Sequence, residues 1–202
     1  MSPILRCCAL FAVLLSLCGC AYRLGGRDVA DPAWTAKKGS AGKVLLIVAG
    51  PPRDPLAAEH IPEVVAIASW ALERLPDTTV FRDEPAATSA TATAPAPGMW
   101  PSTVDDTRAL AAAQARGADS VCVLTVGEYS GMFAIGLAPL PEWYGRNTLL
   151  YTLRLMDVRT GTMLAHAVTY CATGGAFQIR TREDMRRDLD RALSRDLSPP
   201  RE

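Results

Sequence analysis

The chain reads as an α/β (α+β) domain: a single mixed sheet of about 4–5 strands that includes a β-hairpin, with about three helices packed on it. Three observations predict this class. Lys43–Ala49 (KVLLIVA) and Ser120–Val126 (SVCVLTV) are apolar at consecutive positions, which marks strands covered on both faces. Between them, and again near the C-terminus, apolar residues recur at helical spacing. Two further runs alternate with period two on either side of Arg159-Thr160-Gly161, the pattern of a hairpin.

Residues 20–42 are rich in Gly, Ala, Lys and Asp without periodicity and read as a tether, with Trp34 as its one large anchor. The strand Lys43–Ala49 follows, bounded by Gly42 and by Gly50-Pro51-Pro52. Ile61, Val64, Val65, Ala68, Ala71, Leu72 and Leu75 then trace a helix that Pro76 ends, with Pro62 in its first turn, where a missing N–H costs little. Thr78–Arg82 is a short strand. Residues 84–102 (EPAATSATATAPAPGMWPS) bury too little surface to offset their ordering entropy and read as a disordered insertion. Asp105 or Asp106 caps a helix over Thr107–Arg116, and Gly117 supplies the left-handed residue past its end. In the hairpin, Leu149, Tyr151, Leu153 and Leu155 share an apolar face, and parity places Leu164, His166, Val168 and Tyr170 beside them. Gly161 provides the positive φ of a tight, bulged turn. Thr181 caps the last helix with Asp184 as a capping-box-like partner. Its narrow stripe is Met185, Leu189, Leu193 and Leu197, with Glu183–Arg187 and Arg186–Asp190 as exposed i,i+4 pairs.

Ahead of the domain, Arg6 and the uncharged run Cys7–Leu17 match the n-region and h-region of a secretory signal. The run is shorter than the roughly 20 apolar residues a spanning helix needs. Leu17-Cys18-Gly19-Cys20 resembles the lipobox of bacterial lipoproteins. That resemblance implies a signal peptide over 1–19, cleavage before Cys20, and a diacylglycerol thioether plus an acylated (palmitate-type) amino group on Cys20. Acyl chains of this kind hold a protein on the membrane without help from its folded domain. Ala21 in place of Asp implies, by likeness to the sorting pattern of enteric bacteria, the outer membrane, with the domain facing the periplasm. The mature chain keeps 183 residues, enough for one periplasmic domain over 43–198.

Composition narrows the function classes. The mature chain carries 20 basic against 21 acidic residues, which argues against nucleic acid as a partner. Cys122 and Cys171 are its remaining thiols. An oxidising periplasm permits a disulfide between them, and the other reading is two small buried hydrophobes. His60, beside Glu59 at a helix start, and His166, in a strand, read as structural, and no Cys/His cluster has metal-ligand spacing, so neither a metal nor a cofactor is expected. Gly127-Glu-Tyr-Ser-Gly131 departs from the Gly-x-Ser-x-Gly elbow, Asp105-Asp106 suits a cap, and Gly50-Pro51-Pro52 offers too few N–H donors for a phosphate. The expectation is a protein that is not an enzyme.

One segment calls for a different account. Between two strands, Gly131–Tyr144 (GMFAIGLAPLPEWY) carries Met132, Phe133, Ile135, Leu137, Leu140, Trp143 and Tyr144, with no charge until Glu142. It either folds under the sheet as an irregular core segment or forms a contact loop for a protein partner, another copy of the chain, or the membrane.

Ala118-Asp119-Ser-Val-Cys-Val-Leu-Thr-Val-Gly127, with a later strand ending Leu155-Met-Asp157-Val-Arg-Thr-Gly161 and a return strand, resembles small envelope lipoproteins: the curli-secretion and Pel-polysaccharide lipoproteins, the outer-membrane activators of penicillin-binding proteins, and the rhombotail lipoproteins. A strand after "Ala-Asp" and an "Asp-x-x-Thr-Gly" hairpin recur there within an α/β sandwich, and the likeness covers about residues 107–175. Cys20-Ala-Tyr-Arg-Leu-Gly25 also resembles, more narrowly, the start of the lipopolysaccharide-assembly lipoprotein. These resemblances imply a lipid-anchored envelope protein with a structural or assembly role, whose partner is an envelope protein or a second copy. The alternative is a periplasmic binding module for a glycan, lipid or peptide that uses the 131–144 loop.

Overall fold

A computed structural model of the chain describes residues 22–37, 39–50, 55–82, 104–136, 142–176 and 178–199. The stretch read as a signal peptide (1–19), Cys20, Leu137, Leu140 and the stretch read as a disordered insertion (84–102) lie outside the described residues. The elements are β1 (Tyr22–Ala30), α1 (Pro32–Ala36), β2 (Lys43–Ala49), α2 (Pro55–Glu73), β3 (Thr79–Arg82), α3 (Asp106–Ala115), β4 (Ser120–Gly136), β5 (Glu142–Asp157), β6 (Met163–Ala176) and α4 (Arg182–Leu197).

They form one mixed sheet in the order β1-β6-β5-β4-β2-β3, which is the α+β class expected. The strands β3, β2 and β4 are parallel, and β4, β5, β6 and β1 are antiparallel. From β2 the chain crosses through α2 to β3 on one side, then returns through α3 to β4 on the other. Right-handed crossovers in opposite directions put their helices on opposite faces, and this is where the helices lie. On one face α2 and α4 cover Val44, Leu46, Leu124, Tyr151, Leu153 and their neighbours; on the other, Ala109 and Ala113 of α3 close over Leu45, Val121, Val123 and Met156.

Local signals in the sequence are realised with little change. Asp105 Oδ1 accepts from Thr107 N at 3.1 Å as the cap of α3, and Gly117 follows at φ 64°. Thr181 and Asp184 form a reciprocal capping box. Met185, Leu189, Leu193 and Leu197 face the core as expected.

Four readings are corrected. Tyr22–Ala30 is an edge strand paired antiparallel with β6 rather than part of a tether, and Trp34 on α1 is 0% exposed inside the main core. Two glycines and two arginines in that stretch hide it from any periodicity rule, because an edge strand of this kind is held by backbone pairing to a distant partner. Pro62 lies inside α2, which begins at Pro55, instead of in its first turn. Parity on the hairpin is shifted: a bulge between Leu155 and Met156 places Ala165, Ala167, Thr169 and Cys171 beside Leu155, Leu153, Tyr151 and Leu149, and of the expected even-numbered set only Leu164, at the bulge, is buried in their core. On α4, Arg186 and Arg187 bond Glu183 and Asp184 at i,i+3, while Asp190 pairs with Arg74, just past the end of α2.

Candidate functional site

The apolar segment at 131–144 is not a loop over most of its length. Strand β4 runs on to Gly136 and β5 starts at Glu142, so the two extend as paired strands past the rung Ser130–Thr148. Strand β6 accompanies them as far as Ala176, opposite Tyr144, which leaves only the outermost rungs two-stranded. A bulge at Gly127 resets alternation so that Tyr129 stays on the core face beside Leu149; beyond it Phe133 pairs with Gly145 and Ile135 with Trp143. Six residues past the rung, at about 3.4 Å each, carry the tip about 20 Å out. Among the described residues no helix covers it, and its large side chains are in water: Phe133 and Met132 are each 53% exposed, Ile135 65% and Trp143 39%. Tyr144 is half-buried. The core alternative for Met132, Phe133 and Ile135 is thus excluded.

The approach of the chain to α4 adds a residue the sequence reading missed. Backbone of Gln178–Arg180 crosses so close to Gly145 that a Cβ there would stand 2.5 Å from the Gln178 carbonyl oxygen, and Ile179 beside it is 70% exposed. The apolar run Ala176-Phe177 ahead of it was the available signal.

At the opposite end of the sheet a cleft of about 750 Å³ opens between Lys37, Gly42, Asp119, Asp157 and Arg159. Its carboxylates are committed to structure. Asp157 accepts from Lys37 Nζ at 2.8 Å and, through Oδ1, from Thr160 N at 2.9 Å and Thr160 Oγ1 at 3.1 Å. Burial alone would raise its pKa, but these donors outweigh burial and hold it at about 2. Asp119 accepts from Lys43 N at 2.8 Å, while its own N–H donates to Lys43 O at 2.7 Å and its carbonyl accepts from Val158 N. The Ala-Asp and Asp-x-x-Thr-Gly patterns are therefore stitches that join β2, β4 and the β5–β6 turn.

On the face that α2 covers, α4 is fastened by the same means. Buried Asp196 accepts from Tyr151 Oη at 2.7 Å and Thr169 Oγ1 at 2.6 Å. Glu63 of α2 accepts from Tyr129 Oη at 3.0 Å, Arg182 Nε at 2.7 Å and Arg186 Nε at 2.5 Å. Burial pushes Glu63 upward, yet those donors together bring its carboxyl below the ordinary range. His60 packs edge-on against Tyr129, 5.4 Å between ring centres, and accompanies this node. Among the described residues no group of three His, Cys, Asp or Glu side chains could hold a metal ion.

The disulfide reading is corrected. Cys122 on β4 lies opposite Leu155 and Cys171 on β6 opposite Leu149, so β5 separates them and six residues, about 20 Å, offset them along it. A bridge needs Cα atoms within about 7 Å. Both are free thiols, and burial pushes that of Cys122 up to about 12.

No protein-family model matches the chain, and no curated protein matches its sequence. Among solved structures the chain is similar to the PelC dodecamer from Paraburkholderia phytofirmans, at 17% identity and TM-score 0.51, over 89% of this chain and 100% of that one. It is also similar to lipoprotein GNA1162 from Neisseria meningitidis, at 19% identity and TM-score 0.45, over 75% and 95% of the two chains. A minor lipoprotein from Acinetobacter baumannii follows at 14% identity and TM-score 0.30, over 78% and 87%. The first of these likenesses is one of fold.

Proposed function

We propose that the protein is a lipoprotein of the bacterial envelope, anchored through Cys20 to the outer membrane, with a structural or assembly role performed by contact rather than by catalysis. The observation that carries this reading is the extension of β4 and β5. It sets Met132, Phe133, Ile135 and Trp143 out in water, whereas the carboxylates of the cleft and of the α2–α4 node are saturated by donors that hold the fold together. Apolar side chains left exposed together mark a contact surface. The likeness in fold, over 89% of this chain, to a protein that forms a dodecamer supports further copies of the chain as its protein partner. The binding-module alternative has less support, because the extension and the cleft lie at opposite ends of the sheet and share no lining residue.

Crosslinking of the anchored chain in intact membranes tests the assembly role. A ladder of multimers of the chain is expected; a chain that stays monomeric at every crosslinker concentration overturns it. In the same cells Cys20→Ser should leave the membrane fraction, and unchanged retention would refute lipidation at that residue.

A further inference from the structure

The direction in which the N-terminal chain leaves the sheet names what the apolar tip touches. Strand β1 begins at Tyr22, which pairs with Ala172 of β6; Ala172 pairs with Thr148 of β5, and Thr148 with Ser130 of β4. Tyr22 thus sits on the rung from which the extension departs. Because β1 is antiparallel to β6, the chain read backwards from Tyr22 heads the same way as β6 does from Ala172 onward, toward the tip. Only one residue, Ala21, separates Tyr22 from Cys20, and the two steps span at most about 7 Å when fully extended. The tip stands about 20 Å beyond that rung. The cleft end lies the whole length of β1 away, about 27 Å in the other direction, because Ala30 at the far end of β1 pairs with Ala165. A lipid on Cys20 therefore holds the domain by the end that bears the tip, and so short a link cannot stand the domain on its cleft end.

We infer that the tip of the β4–β5 extension, with Phe133, Ile135 and Trp143, dips into the lipid bilayer that holds Cys20. The inference rests on the contact reading of the extension and on the anchor, and assigns that contact to a lipid surface. Chemistry agrees with the geometry. Residues 131–141 carry no charge, and the first that appears, Glu142, is followed by Trp143 and Tyr144, side chains suited to the headgroup boundary. Arg146, opposite Met132, hydrogen-bonds Tyr170 Oη at 2.7 Å and marks the base, where polar character returns. Ile179, exposed next to Gly145, widens the apolar surface on the same end. The facing backbone groups of β4 and β5 satisfy one another in the tip, and at the headgroup boundary the polar groups on its open edges still meet water.

The test uses the full lipidated chain in phosphatidylethanolamine–phosphatidylglycerol vesicles, with acyl-brominated lipid as one quencher and aqueous acrylamide as the other, comparing wild type with Trp143→Phe. Equal melting temperatures establish that Trp143→Phe folds. The expected result is a loss of emission to brominated lipid in the wild type that disappears in Trp143→Phe, with little acrylamide quenching of the Trp143 component. Shielding of Trp143 from both quenchers would mean that protein covers the tip, which overturns the bilayer assignment while the contact reading stands. Acrylamide quenching without quenching by lipid would leave the tip in water and overturn both.

Discussion

Asp157 shows how a single side chain closes one end of the domain. It receives Lys37 from the segment after α1 and both donors of Thr160 from its own turn, and so ties the lead-in of the chain to the β5–β6 hairpin. Its folded pKa of about 2 lies below the ordinary 3.8. A carboxylate depressed in this way contributes stability that is fully present above about pH 4 and is lost as the pH falls toward about 2. With Lys37 partly in water, the contribution is about 1–2 kcal/mol. Asp157→Asn should therefore lower stability by about that amount at neutral pH in urea melts and flatten the acid limb between about pH 4 and pH 2. An unchanged acid limb would show that other carboxylates govern it.

Among the elements, the extension depends on glycines where three strands run close together. Gly174 is at φ 129°, and a Cβ on it would stand 2.0 Å from the Gly145 carbonyl oxygen. Backbone cannot yield as a flexible side chain does. Gly174→Ala should cost at least about 2 kcal/mol and loosen amide protection over 142–147 by hydrogen exchange. Gly117→Ala is the matched control: at φ 64° it is equally left-handed, but a Cβ there meets nothing within 4 Å, so its cost should stay near about 1 kcal/mol. Equal losses at the two sites would mean that conformation rather than crowding sets the penalty. The extension was legible only as apolar content. Residues 131–144 look like an irregular loop because Gly131, Ala134 and Gly136 break the alternation, and the pairing of β4 with β5, with β6 alongside β5, decides that 131–136 and 142–144 are strand.

For the whole molecule, the consequential revision is that the domain begins at Tyr22. The edge strand β1 and the helix that carries Trp34 belong to the sheet and its core, so with the anchor proposed at Cys20 the link between lipid and fold would be two residues rather than about twenty. A long tether would lift the domain away from the membrane; on the proposed anchor, a link of two residues would fix which end faces it. Trp34→Ala should accordingly lower stability by about 3–5 kcal/mol within a single cooperative urea transition. A change below about 1 kcal/mol would return Trp34 to the status of a tether residue.

What the sequence determined by itself were the features that depend on near neighbours: the strands at 43–49 and 120–126, the caps at Asp105 and Thr181, the turn glycines at 117 and 161, and the apolar stripe of α4. Each follows from periodicity or from hydrogen bonds that close within one turn, so a short window contains its cause. Tertiary structure alone decided the pairing of Tyr22–Ala30 with β6, the parity of the hairpin beyond its bulge, the distance between Cys122 and Cys171, and the emergence of Met132, Phe133 and Ile135 into water. These depend on backbone groups meeting across the sheet from positions far apart in the chain, and no local pattern encodes where such partners will lie.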